Sequence, residues 1–85
     1  MKKEKLQVAK SNIALTPGES LRIIRELQEL SQNDLANLTG IPQSTISSIE
    51  RERISLGVER TKVFAKALKV HPAVILFAGW EMEAA

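Results

Sequence analysis

Gln43, Ser44, Ser47 and Ser48 are compact polar side chains gathered in one short stretch. Each can both donate and accept hydrogen bonds. Advancing about 100° per residue along a helix puts Gln43 at about 0°, Ser47 at about 40°, Ser44 at about 100° and Ser48 at about 140°. Ile46 falls near ~300° and Ile49 near ~240°, so the isoleucines face inward and the polar groups cover the opposite arc. A solvated helix face usually carries Lys and Glu; this one carries Gln and Ser. Gln pairs bidentately with N6 and N7 of adenine, and Ser contacts several base edges. Ser has modest helix propensity, so three of them on one short helix do not serve helix stability. The chemistry these residues suit is the reading of base edges in a DNA groove. The plainer alternative is a polar face turned to solvent.

Other chemistries find few candidates. With no Cys, the chain has no disulfide, thiolate metal ligand or thiol nucleophile. Its one His excludes a cluster of imidazole ligands. That residue, His71, precedes Pro72 at a helix start and reads as a surface or capping group. No Gly-rich phosphate loop and no credible Ser/His/Asp arrangement occurs, so no enzyme activity, cofactor or metal is expected. The aromatic side chains are Phe64, Phe77 and Trp80, which argues against stacking on single-stranded bases. Lys62, Lys66 and Lys69 lie at helical spacing and read as a solvated face, with a remote phosphate contact as the sharper option.

The elements that must position the polar face are short helices. Eighty-five residues make one small domain with tails, and so short a chain leaves much of its surface wet. Residues 1–15 carry four Lys and one Glu, a surplus of +3 within a total of +2. They read as a basic N-terminal tail with a short strand permitted, either disordered or an arm that orders on a partner. The domain is expected over 16–78, followed by a tail at 79–85. No apolar run approaches the ~20 residues that span a bilayer, so a soluble cytoplasmic protein is the default expectation.

Thr16-Pro17-Gly18-Glu19 has the signature of a capping box with Pro at the first helical position. Apolar spacing from Leu21 carries helix 1 to about Leu30. Ser31 and Asp34 form a second cap, and Leu35, Ala36 and Leu38 give a short helix 2. Gly40 can take positive φ where the chain turns into helix 3, about Gln43 to Arg51. Helix 4 is expected from about Val58 to Leu68. Pro72 opens a very apolar helix 5. Five helices and no convincing sheet predict an all-α bundle. Two short helices joined by a tight Gly-containing turn form a helix-turn-helix, whose second helix can lie in the major groove. Val74, Ile75, Leu76, Phe77, Trp80 and Met82 exceed what a one-sided helix buries, and the surplus suggests a partner surface.

From Leu21 to Leu76 the chain resembles the Cro/lambda-repressor (XRE) type helix-turn-helix family. The matching elements are "SQNDLA", the turn Gly40, "QSTIS" and Glu50-Arg51, followed by "VFAKALKVHPAVIL". The resemblance implies a five-helix lambda-repressor-like fold. It implies that Gln32 holds a phosphate and braces Gln43, and that Gln43, Ser44 and Ser48 read bases. Thr45, Ser47, Arg51 and Arg53 are then backbone contacts or their neighbours. Arg25 and Glu50 match a family pair joining helix 1 to helix 3; Glu50, near ~340° on the wheel, leans toward the protein. Two residues depart from the pattern. Glu52 stands where Gly is usual, so either it is strained or helix 3 runs farther. Pro42 stands where a side-chain cap is usual.

The function expected from this resemblance is sequence-specific binding of a palindromic double-stranded operator by a homodimeric repressor. Val74, Phe77, Trp80 and Met82 are the candidate dimer or partner residues. Within the family the chain looks like the antitoxin of a host-inhibition-of-growth type toxin–antitoxin pair, which represses its own operon and binds a toxin. A phage-type repressor or a restriction–modification controller matches the core equally well. A protein-interaction module without DNA binding is the alternative from another class.

Overall fold

Helix starts in this chain are written in local hydrogen bonds, and the structure, a computed structural model, makes them. It describes residues 15–77. Thr16 caps α1 (Pro17–Leu27): its hydroxyl accepts from the Glu19 amide, and the Glu19 carboxylate accepts from the Thr16 amide. Ser31 and Asp34 repeat this box at α2 (Gln32–Thr39). Hydrogen bonding to the Asp34 carboxylate from the Ser31 backbone amide, and secondarily from the Ser31 side chain, holds this carboxyl below the usual carboxylate range. Gly40, at φ 80°, ends α2 in the left-handed region. Pro42 precedes α3 (Gln43–Glu50) without a side-chain cap, but its carbonyl accepts from the amides of Thr45 and Ile46. Next come α4 (Val58–Leu68) and α5 (Pro72–Leu76), the latter capped by the His71 ring. All five described elements are α-helices, an all-α fold. Among the described residues no helix is long and apolar enough to cross a membrane.

The core is one cluster to which all five helices contribute: Leu21 of α1, Leu35 of α2, Ile46 and Ile49 of α3, Phe64, Ala65 and Leu68 of α4, and Ile75 of α5, with Leu56 from the loop before α4. α3 packs on α1 and α2, while α5 packs on α1 and α4. α3 and the apolar final helix α5 thus share α1 as a common support. Ser20 is buried on α1, and its hydroxyl donates to the Val74 carbonyl at 3.2 Å.

Two expected boundaries move. α1 ends at Leu27, short of Leu30. Glu29 takes a left-handed φ of 60°, and the Leu30 amide reaches back to the Arg25 carbonyl at 3.1 Å, closing the helix. The Gln28 side chain donates to the Leu68 carbonyl at 2.8 Å, tying this end to α4. Leu27, on the expected apolar stripe of α1, is exposed, and so is Leu38 of α2. α3 ends at Glu50 with Arg51 as its cap, and Glu52 adopts φ 63°. Of the two alternatives at Glu52, the left-handed one holds. The basic tail, apart from Leu15, and the 79–85 tail lie outside the described residues, as do Trp80 and Met82.

Left-handed φ at a residue with a Cβ costs about 1–2 kcal/mol, and only Gly escapes the clash. Lys69 caps α4 at φ 60°. Lys69→Gly is expected to stabilise the domain by ~0.5–1 kcal/mol once the greater freedom of unfolded Gly is subtracted. Glu52→Gly gains less, because the Glu52 carboxylate accepts a hydrogen bond from the Thr16 hydroxyl and that bond is lost. Urea unfolding of both variants checks the order; a Lys69→Gly protein no more stable than the parent contradicts it.

Candidate nucleic-acid interface

The α2–turn–α3 unit is short and held locally. The Thr39 hydroxyl donates to the Leu35 carbonyl and accepts from the Ile41 amide, so the residues flanking Gly40 are bonded to each other. Ile46 and Ile49 are fully buried. Gln43 and Ser44 are therefore exposed on the opposite side of α3, and Thr45, Ser47 and Ser48 are half-buried. After α3 the chain turns tightly, with the Glu52 amide on the Ile49 carbonyl and the Arg53 amide on the Ser48 carbonyl at 2.8 Å. This leaves Arg51 and Arg53 exposed at the helix end.

Behind that face lies a continuous polar chain. Arg25 is buried on α1 and meets Glu50 of α3 in a two-pronged ion pair, Nε to Oε2 and Nη2 to Oε1, both at 2.8 Å. The remaining guanidinium nitrogen, Nη1, donates to the Leu30 carbonyl at 2.8 Å. The Glu50 hydrogen bond raises the Arg25 pKa above its ordinary value, with desolvation opposing it. Glu50 Oε1 also accepts from Gln32 Nε2 at 2.9 Å. Gln32 Oε1 in turn accepts from Gln43 Nε2 at 2.6 Å. Four side chains from α1, α2 and α3 thus form one line running from the core to the outer face of α3.

The expected site residues are therefore not equivalent. Arg25, Glu50, Gln32 and Gln43 are bonded in sequence, and Ser44, Thr45, Ser47 and Ser48 lie on the same helix as Gln43. Val74 of α5 and Phe77, which caps its C-terminal end, stand apart, each about half exposed, at 46% and 55%. Lys62 and Lys66 of α4, and Lys69 at its end, are exposed, with Lys62 near Glu59 at 3.8 Å. Sequence reading did not find the Gln32–Glu50 bond or the Thr16–Glu52 bond. Their partners are 18 and 36 residues apart, and no local pattern links them. Among the described residues no group of His, Asp or Glu is placed to hold a metal ion.

The helix-turn-helix family HTH_3 matches residues 21–75. Two curated relatives, both named HTH-type transcriptional regulator PuuR, come from Escherichia coli (strain K12) and Shigella flexneri. Each is 39% identical over 61 residues, covering 72% of this chain and 31% of the relative. The chain thus spans about a third of the length of these relatives. No solved structure matches it significantly. With the match running from within α1 to α5, across the capped α2, the Gly40 turn and the polar face of α3, the chain belongs to the Cro/C1 (XRE) type helix-turn-helix family.

Proposed function

We propose that this chain is a sequence-specific DNA-binding transcriptional repressor that reads a palindromic operator as a homodimer. The observation that carries the reading is the outer face of α3. Gln43 and Ser44 are exposed there, and the Gln43 amide is held by Gln32 rather than left to rotate. Gln43, Ser44 and Ser48 read base edges. Gln32, Thr45, Ser47, Arg51 and Arg53 contact phosphates or lie beside the groups that do. Phosphate contacts supply affinity and orientation, and the base contacts supply sequence preference. The relatives' names as transcriptional regulators support regulation as the role.

Dimerisation is supported by the exposed Val74 of α5 and Phe77 at its C-terminal end. Two-fold symmetry places two copies of α3 about 34–36 Å apart, one DNA turn. The antitoxin role adds a protein partner and rests on the basic stretch before α1 and the apolar stretch at α5. A toxin encoded beside this chain, copurifying with it, would support that role.

Selection from a random duplex library tests the proposal. The expected product is an inverted repeat with half-sites one turn apart, bound less tightly as salt rises. Gln43→Ala is expected to cost ~1–3 kcal/mol of discrimination at one base position per half-site. A library that yields no enriched sequence would overturn DNA reading and leave a protein-interaction module in its place.

A further inference from the structure

Glu52 is an acid placed between two exposed arginines, Arg51 and Arg53. Its φ of 63° strains any residue with a Cβ. The turn after α3 is closed by backbone alone: the Glu52 amide donates to the Ile49 carbonyl at 3.0 Å, and the Arg53 amide to the Ser48 carbonyl at 2.8 Å. The Glu52 side chain is therefore not needed for the turn. It crosses instead to the start of α1, where its carboxylate accepts from the Thr16 hydroxyl, 36 residues away in the chain. Gly18 makes room for it. A Cβ there would stand 2.6 Å from Glu52 Oε2 and would also collide with the Ile49 carbonyl oxygen. The amino end of α1 thus lies against the carboxyl end of α3, and partial positive charge at a helix amino end favours a carboxylate. Among the described residues Glu52 forms no ion pair with Arg51 or Arg53.

We infer that Thr16 and Glu52 form a latch that keeps Arg51 and Arg53 available to DNA phosphates, and so sets overall affinity without altering base preference. The inference rests on the proposed phosphate role of the two arginines. A carboxylate beside a guanidinium competes with a phosphate oxygen for the same N–H donors. Released from Thr16, Glu52 pairs with a neighbouring arginine and turns its negative charge toward the duplex. Held by Thr16, it does neither. The Thr16 hydroxyl has two partners at once. Its oxygen accepts from the Glu19 amide at 3.1 Å, and its hydrogen goes to Glu52. One hydroxyl thus caps α1 and restrains the acid at the end of α3. Gln43 and Ser44 begin α3, whereas the latch lies past its last residue, Glu50. Loss of the latch therefore acts on phosphate contacts and leaves base contacts in place.

The test measures binding of the full chain to the selected operator and to an unrelated duplex over a salt series. Thr16→Gly removes the hydroxyl at little cost to α1, since Gly is tolerated at an N-cap. Glu52→Asp keeps the charge, suits the left-handed conformation better and draws the carboxylate back by one methylene. Both variants are expected to bind both duplexes less tightly. An exposed charge contact is worth up to about fivefold, so two half-sites together give a loss of about 3–25-fold. The slope of affinity against salt should fall by about one per half-site, as for the loss of one phosphate contact. Base preferences should stay. Thr16→Ser, which keeps the hydroxyl, should match the parent. In a Glu52→Gln protein no carboxylate remains to be released, so Thr16→Gly should change affinity there by less than about twofold, within the lower range of surface charge effects. Equal losses in the Glu52→Gln protein and the parent would mean that Thr16 acts only by capping α1, and the latch is overturned. Unchanged binding in Thr16→Gly or Glu52→Asp overturns it as well. Should Thr16→Gly not fold, Glu52→Asp decides. The double change Arg51→Ala with Arg53→Ala separates the latch from the reading beneath it. If that change weakens binding and the latch variants do not, only the latch falls. If it leaves binding unchanged, the phosphate role and this inference fall together.

Discussion

Arg25→Ala is expected to cost about 3–5 kcal/mol of folding stability, because it leaves the Glu50 carboxylate buried and without its countercharge. Both groups are nearly inaccessible, with 8% of the Arg25 side chain and 2% of the Glu50 side chain exposed. Attraction between surface ions is worth ~0–1 kcal/mol, and this pair differs because water does not replace the lost partner. Gln32 also donates to Glu50, but one neutral amide does not balance a charge. For a chain of 85 residues, total stability is roughly 4–13 kcal/mol, so the loss is a large share of it. The double change Arg25→Met with Glu50→Leu should recover most of the loss, since an apolar pair of similar volume carries no desolvation penalty. Urea unfolding of the three proteins measures the comparison. An Arg25→Ala loss below ~1 kcal/mol would put the pair in the class of solvated surface bridges.

Phe64→Ala is expected to cost a similar amount, ~3–5 kcal/mol, through lost burial and the cavity left behind. Phe64 is the largest fully buried side chain and sits on α4, which packs against α1, α2 and α5. One residue therefore helps hold the frame on which the α2–α3 unit rests. Val63, its neighbour on the same helix, is 40% exposed. Val63→Ala should change stability by no more than ~1 kcal/mol, which separates core packing from helix propensity. Phe64→Leu keeps most of the volume and should fall between the two. Thermal unfolding followed by circular dichroism reads all three; equal midpoints for Phe64→Ala and Val63→Ala would refute the placement of Phe64 at the centre of the core.

Much of this architecture is carried by interactions three or four residues apart, and such interactions are visible in sequence. Thr16 with Glu19 and Ser31 with Asp34 start two helices by reciprocal bonds within a single turn. Ile46 and Ile49 lie on one side of α3 by helical period alone, which forces Gln43 and Ser44 outward. The end of α1 was less legible. An apolar residue at Leu27 or Leu30 continues the stripe as well as any other, so periodicity extends the helix past its true end. What stops it is the turn through Glu29, supported by a bond from Gln28 to a carbonyl 40 residues away.

The sequence by itself determined where helices begin, which side of each is apolar, and which residue types stand on the outer face of α3. Local capping and helical period decide these, and both act within a few residues. Only the tertiary structure decided how those residues are used. Glu50 meets Arg25 across 25 residues and Gln32 across 18, and Ser20 meets the Val74 carbonyl across 54. Contacts of that range exist only after α1, α2, α3 and α5 have packed. Gln43 was legible from its place on a helix; the bond that joins Gln32 to the buried Glu50 was not, because its partners lie 18 residues apart and on different helices.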